Sequence, residues 1–471
     1  MNEAPLNIIY IVCHDTGREI GCYGRKITTP NLDAFAAEGI RFTNMFCSSP
    51  ACSPSRSCAY SGLPAHLNGQ MGVTPSGFIL SPHIPTVVDY FNLGGYETVH
   101  IGFQHERYRA IENRYQVEKG SGELCLVENG VDAVIDYLKV RKPSDMPFYL
   151  NMATMENHCV MWQERGKNRH AVYGNIPPEK VDYPTWYPEY GPLRQEVGNF
   201  QACITYFDQH IGRLLDAIDQ LGYRNNTLVI ICTDHGISGE RGKGTLYDHG
   251  TEMFFLARLP GKIAPNQVSD TLLQNLDVAP TLLETTGLPV PGTMHGKSFW
   301  PLMTGGEYTP HDIIVMERNY HGDDYPDIMR AVRSKDYLYV RNFTPHVKHP
   351  WTRDECPPLH PEYKAWFTEM WPPQTRLREH EEMFSVKDDP DQFRNIAAES
   401  SVQQAKKDLA DKLDDYMKRT GDPTLHGEIF SVASMERAAG RQVKYREEHV
   451  PQYSQELLAL EPSNPALKTC K

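Results

Sequence analysis

The sequence predicts an α/β fold in which a mostly parallel central sheet carries helices on both faces. A smaller C-terminal α+β domain built on an antiparallel sheet follows it. Three observations carry that prediction. Two apolar runs rich in β-branched residues, Asn7 to Val12 and Thr227 to Cys232, read as buried strands, and each ends abruptly in polar residues. Strand and helix signals alternate through the larger N-terminal part of the chain, the pattern of a parallel sheet with crossover helices. After about Tyr325 the texture changes to closely spaced strands and one helix.

In chain order, the first run ends at Cys13-His14-Asp15, and the second at Thr233-Asp234-His235-Gly236. Between them lie two more strand candidates, Glu97 to Ile101 and Phe148 to Ala153, and the helical stretches Thr29 to Glu38 and Val197 to Leu221. The segment Ala171 to Pro192, rich in Pro, Tyr and Trp, reads as a long irregular loop. Ile328 to Phe343 and Glu382 to Val386 read as strands, and Ser400 to Arg419 as a helix before an irregular tail. Ligands of open α/β sheets bind beyond the carboxyl ends of the strands, so the four strand-end segments are expected to form one neighbourhood.

Composition narrows the function. The 471 residues carry a formal net charge of −13, which argues against a nucleic-acid surface but leaves room for a local basic pocket. No run of 18 apolar residues is present, so no membrane-spanning helix is expected. Met1 to Pro5 lack a basic region followed by an apolar stretch, so the chain as given is expected to be cytoplasmic; a leader already removed would leave the same sequence. The eleven cysteines show no regular disulfide or paired zinc spacing and are expected to be mostly buried thiols.

One cysteine stands apart. Cys52-Ser53-Pro54-Ser55-Arg56, followed by Ser61-Gly62, resembles the maturation motif of the sulfatase family, and the likeness extends from Asn7 to about Ala397. The resemblance implies an alkaline-phosphatase-like fold and a reaction in which a separate maturation enzyme oxidises Cys52 to formylglycine. The hydrated aldehyde then attacks sulfur, a covalent sulfo-enzyme forms, and the second hydroxyl releases sulfate, which splits one difficult hydrolysis into two steps. Arg56, four residues on, is expected beside the nucleophile through a helical turn starting near Pro54, where a fixed guanidinium neutralises charge.

By the same resemblance, His14, Asp15, Cys52, Asp234 and His235 are the expected metal ligands. The family presents Asp-Asp where this chain has His14-Asp15, so His14 is a departure. Oxygen ligands favour Ca²⁺ or Mg²⁺, whereas imidazoles suit Mn²⁺ or Zn²⁺; the resemblance puts Ca²⁺ first. Lys243, in Arg241-Gly242-Lys243-Gly244, matches a family lysine that bridges sulfate and leaving group. His158 is the expected general acid toward the leaving atom, and His105 is expected to help release sulfate. Gly102-Phe103-Gln104-His105 stands where the family reads Gly-Lys-x-His, so Phe103 replaces a sulfate-binding lysine.

Residues with blander readings are His66 and Asn68, placed at the exit of the nucleophile helix, and His249, read as capping a turn. The aromatic stretch Trp162 to Trp186 could shape a sugar site. Gly62 to Gly69 and Tyr325-Pro326 with Met329 to Arg333 are most similar to the heparan N-sulfatase (sulfamidase) branch, which brings His321 forward as a substrate contact. The reading divides the chain into a catalytic domain, residues 1–325, and a C-terminal subdomain, residues 326–471. Its substrate is expected to be a small-molecule or saccharide sulfate, N-sulfoglucosamine-like. The alternatives are a phosphonate monoester hydrolase or phosphodiesterase, a broad arylsulfatase, or a binding protein that never matures its cysteine.

Overall fold

The computed structural model describes residues 5–74, 78–105, 114–119, 122–142, 145–158, 170–187, 189, 191–239, 241–321, 327–345 and 378–426. Trp162, Tyr325-Pro326 and the tail beyond His426 lie outside them.

Eight strands form the central sheet: β1 (Asn7–Cys13), β2 (Ile40–Phe42), β3 (Glu97–Gly102), β4 (Val117–Lys119), β5 (Phe148–Ala153), β6 (Thr227–Thr233), β7 (Phe255–Arg258) and β8 (Gln267–Ser269). Their spatial order is β8-β2-β7-β6-β1-β5-β3-β4. All neighbours are parallel except at β7, which runs against β2 and β6. The four longest parallel strands are the four read from sequence. The short strands were not legible there, because three or four residues give too little periodicity to register.

Successive side chains of a strand point to opposite faces, and β1 shows both faces buried. Ile9 and Ile11 join Val229, Ile231, Leu150 and Met152 in one core. That core is closed by α1 (Pro30–Ala37), α3 (Val127–Val140) and α4 (Gly191–Gln220). Ile8, Tyr10 and Val12 join Leu228, Ile230 and Tyr149 on the other face, under α2 (Cys52–Ser61) and α5 (Val278–Thr285). Burial on both faces explains why β1 and β6 read as continuous apolar runs rather than alternating ones.

Two helices start earlier than the sequence suggests, for one reason. Proline is tolerated in the first turn of a helix, where its missing N–H has no partner to lose. So α2 begins at Cys52 rather than near Pro54, and α4 begins at Gly191, ahead of the expected Val197, with Pro192 in its first turn. The loop expected over Ala171 to Pro192 also holds a helical turn at its start, His170–Tyr173, and a 3₁₀ turn, Pro178–Lys180.

The C-terminal sheet is antiparallel, as expected, with strands β9 (Ile314–Arg318), β10 (Met329–Arg333), β11 (Tyr337–Asn342) and β12 (Glu381–Ser385) in that order. Its first strand lies upstream of residue 325. One face packs on α6 (Gln403–Thr420) through Val332, Tyr339, Met383, Leu409, Leu413 and Met417. The other face, with Met316, Ala331, Val340 and Phe384, packs on Leu246 and Tyr247. Among the described residues no helix is long and apolar enough to cross a membrane, and none of the described cysteines is paired.

Beyond α6, Asp422 is pinned to Arg330 of β10 by two hydrogen bonds, 2.6 and 3.0 Å, both residues being fully buried. Removing one partner of such a pair strands a charge in a low dielectric. Asp422→Ala is therefore expected to lower unfolding free energy by about 3–5 kcal/mol, read as a fall in urea midpoint.

Candidate active site

The site grows from two neighbouring strands. β1 and β6 are parallel and paired through Cys13 and Thr233, so residues 14–15 and 234–235 leave the sheet side by side. Asp15 turns at φ +50°, a conformation that non-glycine residues seldom adopt and that is held here by surrounding bonds. Its N–H donates to Asp234 Oδ1 at 3.0 Å, and the Thr16 N–H donates to Thr233 Oγ1 at 3.1 Å. Both carboxylates are thus aimed into one buried space.

The start of α2 enters that space. Cys52 is the first residue of α2, where the helix dipole favours a negative group. One turn later Arg56 donates to Asp234 Oδ2 from Nε and Nη2, at 3.2 and 3.1 Å. Ser55 Oγ donates a short bond to the Asp234 carbonyl. Asn275, fully buried, ties the helix start to the strand before it. Its amide donates to the Ser55 carbonyl and Oγ, at 2.8 and 2.9 Å, and its carbonyl accepts from Ser48 N and Oγ, at 2.8 and 2.7 Å.

Lys243 closes the arrangement. Its Nζ lies 2.9 and 3.0 Å from the Asp15 carboxylate oxygens and 2.9 Å from Cys52 Sγ. The Lys243 loop is fastened on both sides. Gly244 N–H donates to the Pro50 carbonyl at 2.8 Å, two residues before Cys52. Arg318 of β9 donates to the Gly244 carbonyl, and Arg333 of β10 holds Asp248 at 3.1 and 2.9 Å. The C-terminal sheet therefore positions a lysine that belongs to the other half of the chain.

Three histidines surround this floor. His105 hydrogen-bonds the Cys52 sulfur, and its carbonyl accepts from Thr74 Oγ1 at 2.6 Å. Thr74 N–H in turn donates to Ser53 Oγ at 2.9 Å, which ties α2 to the His105 segment. The His158 ring stands 4.9 Å from that of His14. His321 lies beside Gly244, and its buried Nδ1 has no hydrogen-bond partner among the described residues. Asp15, Cys52, Arg56, Asp234, His14, His235 and Lys243 are buried, whereas His105, His158 and His321 are half-buried, which puts the opening on the histidine side.

The electrostatics follow from this packing. Burial would raise the Cys52 thiol, yet the Lys243 ammonium, then His105 and His14, hold it well below its ordinary value. Burial likewise works against ionised Asp15, but Lys243 and His235 keep it well below the usual carboxylate range. Burial would lower His14, and Asp234 overrides it, lifting His14 to about 9. His235 rises to about 10 despite burial, through Asp234 and then Asp15. His321 falls to about 3, first by burial and then by the nearby Arg318 and Lys243. His105 is lowered chiefly by burial.

The donors suit a divalent cation. One ligand atom each from His14, Asp15, Cys52 and Asp234 lie within 4.8 Å of one another, as do those of His14, Cys52 and His158. His235 Nδ1 faces the Gly236 carbonyl at 2.9 Å, which fixes the tautomer and turns Nε2 toward Asp15 at 3.1 Å. Buried His14 meets the Asp234 carboxylate at 3.1 Å and the Cys52 sulfur. Carboxylates facing imidazole nitrogens in a dry pocket are an arrangement that a cation resolves.

Residues 6–288 match the family described as Sulfatase, and residues 236–349 match the one described as N-sulphoglucosamine sulphohydrolase, C-terminal. The chain belongs to the sulfatase family. This sulfatase is 27% identical to an ulvan-active sulfatase of Formosa agariphila, over 90% of this chain and 82% of that one. It is also 27% identical to human N-sulphoglucosamine sulphohydrolase, over 89% and 91% of the two chains. Its fold is shared with a structure solved in complex with its substrate D-glucosamine-2-N,6-O-disulfate, at TM-score 0.67 and 20% identity, over 89% of this chain and 99% of that one. The fold is thus that of solved sulfatases, and the family makes the enzyme a hydrolase of the sulfatase class.

Every residue singled out from sequence for the floor is in it. The others separate cleanly. His66 pairs with Glu317 at 3.1 Å, and Asn68 donates to Ser57 Oγ, Ser61 Oγ and the Leu63 carbonyl, so both secure the exit of α2. His249 stacks on Trp186 at 3.8 Å and meets Asp391 at 3.0 Å, a structural role. Sequence reading missed Asn275, Thr74 and Arg318, which act through contacts between distant segments and carry no local motif. Asn275→Ala strands the buried Ser48 N–H and frees the start of α2. It is expected to cost on the order of 1–3 kcal/mol and to lower turnover more than substrate affinity, read by thermal unfolding alongside steady-state kinetics.

Proposed function

We propose that this sulfatase uses formylglycine at position 52 to cleave a sulfate ester or sulfamate from a sulfated sugar, N-sulfoglucosamine being the nearest substrate type. The observation that supports it most is Lys243 bridging Cys52 Sγ and Asp15 while Arg56 grips Asp234. Two cations and two carboxylates, all buried, define an anion-sized position against one side chain. Matured residue 52 would supply the attacking hydroxyl there, and a cation held by Asp15, Asp234, His14 and His235 would polarise the sulfate oxygens.

The remaining groups have distinct tasks. Arg56 and Lys243 gather the charge that builds on the sulfate oxygens, where a preformed cation costs no reorganisation. His105, against the nucleophile, is placed to exchange the proton that frees sulfate. His158 stands on the leaving-group side and protonates nitrogen in a sulfamate or oxygen in an ester. His321, kept neutral, faces the outgoing sugar. The likeness of residues 236–349 to the N-sulphoglucosamine sulphohydrolase C-terminal family favours the sulfamate, since that stretch contains Lys243, Arg318 and His321.

The test is a side-by-side assay of matured enzyme on N-sulfoglucosamine, O-sulfated glucosamines, an aryl sulfate and an aryl phosphonate ester. Release from the amino sugar is expected to dominate; turnover of the phosphonate alone would overturn the reading. Intact mass of protein from its own host should be about 18 Da below the encoded chain, the loss in converting Cys to formylglycine. Cys52→Ala should abolish turnover with the unfolding midpoint nearly unchanged, checked by circular dichroism.

A further inference from the structure

His14 and Phe103, the two positions where this chain departs from the family pattern, lie against each other in the fold. Their rings meet edge to face, with centroids 4.3 Å apart at 70°. His158 packs against the His14 imidazole as well, at 4.9 Å, with its ring 6.4 Å from that of Phe103, and Arg56 places its guanidinium over the Phe103 ring, 5.4 Å from the centroid. An acid at position 14 and a lysine at 103 would meet as an ion pair at this spot. Here an imidazole that faces Asp234 meets an apolar ring instead. Introducing the lysine at 103 without the acid at 14, or the reverse, would leave a buried charge without its partner.

The exchange also changes what the floor offers a cation. His14 Nδ1 lies 3.1 Å from Asp234 Oδ2, and the same imidazole hydrogen-bonds the Cys52 sulfur, so the ring stands among the other candidate ligands. His235 turns a second ring nitrogen toward Asp15. Ca²⁺ takes six to eight oxygens and gains little from imidazole, while first-row transition ions accept nitrogen readily.

We propose that His14 and Phe103 act as one coupled pair that sets the metal preference of this site toward a nitrogen-accepting first-row ion, such as Mn²⁺, and away from Ca²⁺. The inference rests on the metal-assisted reading above, but its test does not require turnover. Full-length protein stripped with a chelator is titrated by calorimetry with MnCl₂ and with CaCl₂. The wild type is expected to bind Mn²⁺ about tenfold or more tighter than Ca²⁺. Phe103→Lys alone sets a cation against Arg56 and His14, and should weaken both ions and lower the thermal midpoint. The double variant His14→Asp/Phe103→Lys should recover that midpoint and shift the ratio toward Ca²⁺ by about tenfold. Should the carboxylate at position 14 fail to fold, His14→Asn offers an amide oxygen without a charge and should still erode the Mn²⁺ preference. Ca²⁺ binding as tightly as Mn²⁺ in the wild type, or strictly additive effects of the two substitutions, would overturn the proposal. An enzyme that prefers Mn²⁺ yet ignores sulfated sugars would uphold it while ending the substrate assignment.

Discussion

In-register pairing of β1 with β6 is the constraint on which the site depends. Both strands are buried on both faces, so neither can slip without turning a set of apolar side chains to the wrong core. The observed register, Cys13 opposite Thr233, delivers residues 14–15 and 234–235 side by side at the sheet's carboxyl edge. Everything else approaches that pair. Arg56 takes one carboxylate, Lys243 takes the other, and Cys52 is brought against Lys243.

Concentrating four charged groups in a dry space is costly unless each is answered, and here the answers interlock. Arg56 cannot hold Asp234 unless α2 starts where Asn275 and Ser55 place it. Lys243 cannot reach Asp15 unless its loop is held by Arg318 and Arg333 from the C-terminal sheet. That sheet, through its contacts with Leu246 and Tyr247, is a structural part of the active site. It also supplies the buried Arg330–Asp422 pair that fastens the segment after α6. A chain with an overall charge of −13 thus presents a local positive pair to an anionic substrate, because the field inside a buried pocket is set by near neighbours.

In the reaction proposed for this sulfatase, the floor would hold the sulfate and the opening the rest of the substrate. The floor residues are buried and mutually bonded, which suits groups that must not reorganise as charge develops. His105, His158 and His321 are half-buried, on the side of the opening. Phe103 belongs to both zones: it packs on His14 below and flanks His105 above, with ring centroids 4.9 Å apart.

Much of this was legible in the sequence, for identifiable reasons. Long apolar runs gave the four main strands, because burial on both faces demands continuous hydrophobicity. Polar residues at their ends, with the cysteine motif, gave the floor. The short strands, the early starts of α2 and α4, and the antiparallel β7 were not legible, since each depends on partners far along the chain. What the sequence by itself determined was the inventory: which side chains can attack, ligate or carry charge, and the strands that carry two of them. What only the tertiary structure decided was their adjacency: that Lys243 touches Cys52, that Asn275 anchors the nucleophile helix, and that His14 and Phe103 share one contact. Adjacency between residues so distant in the chain is set by packing and register, which no local pattern of residues encodes.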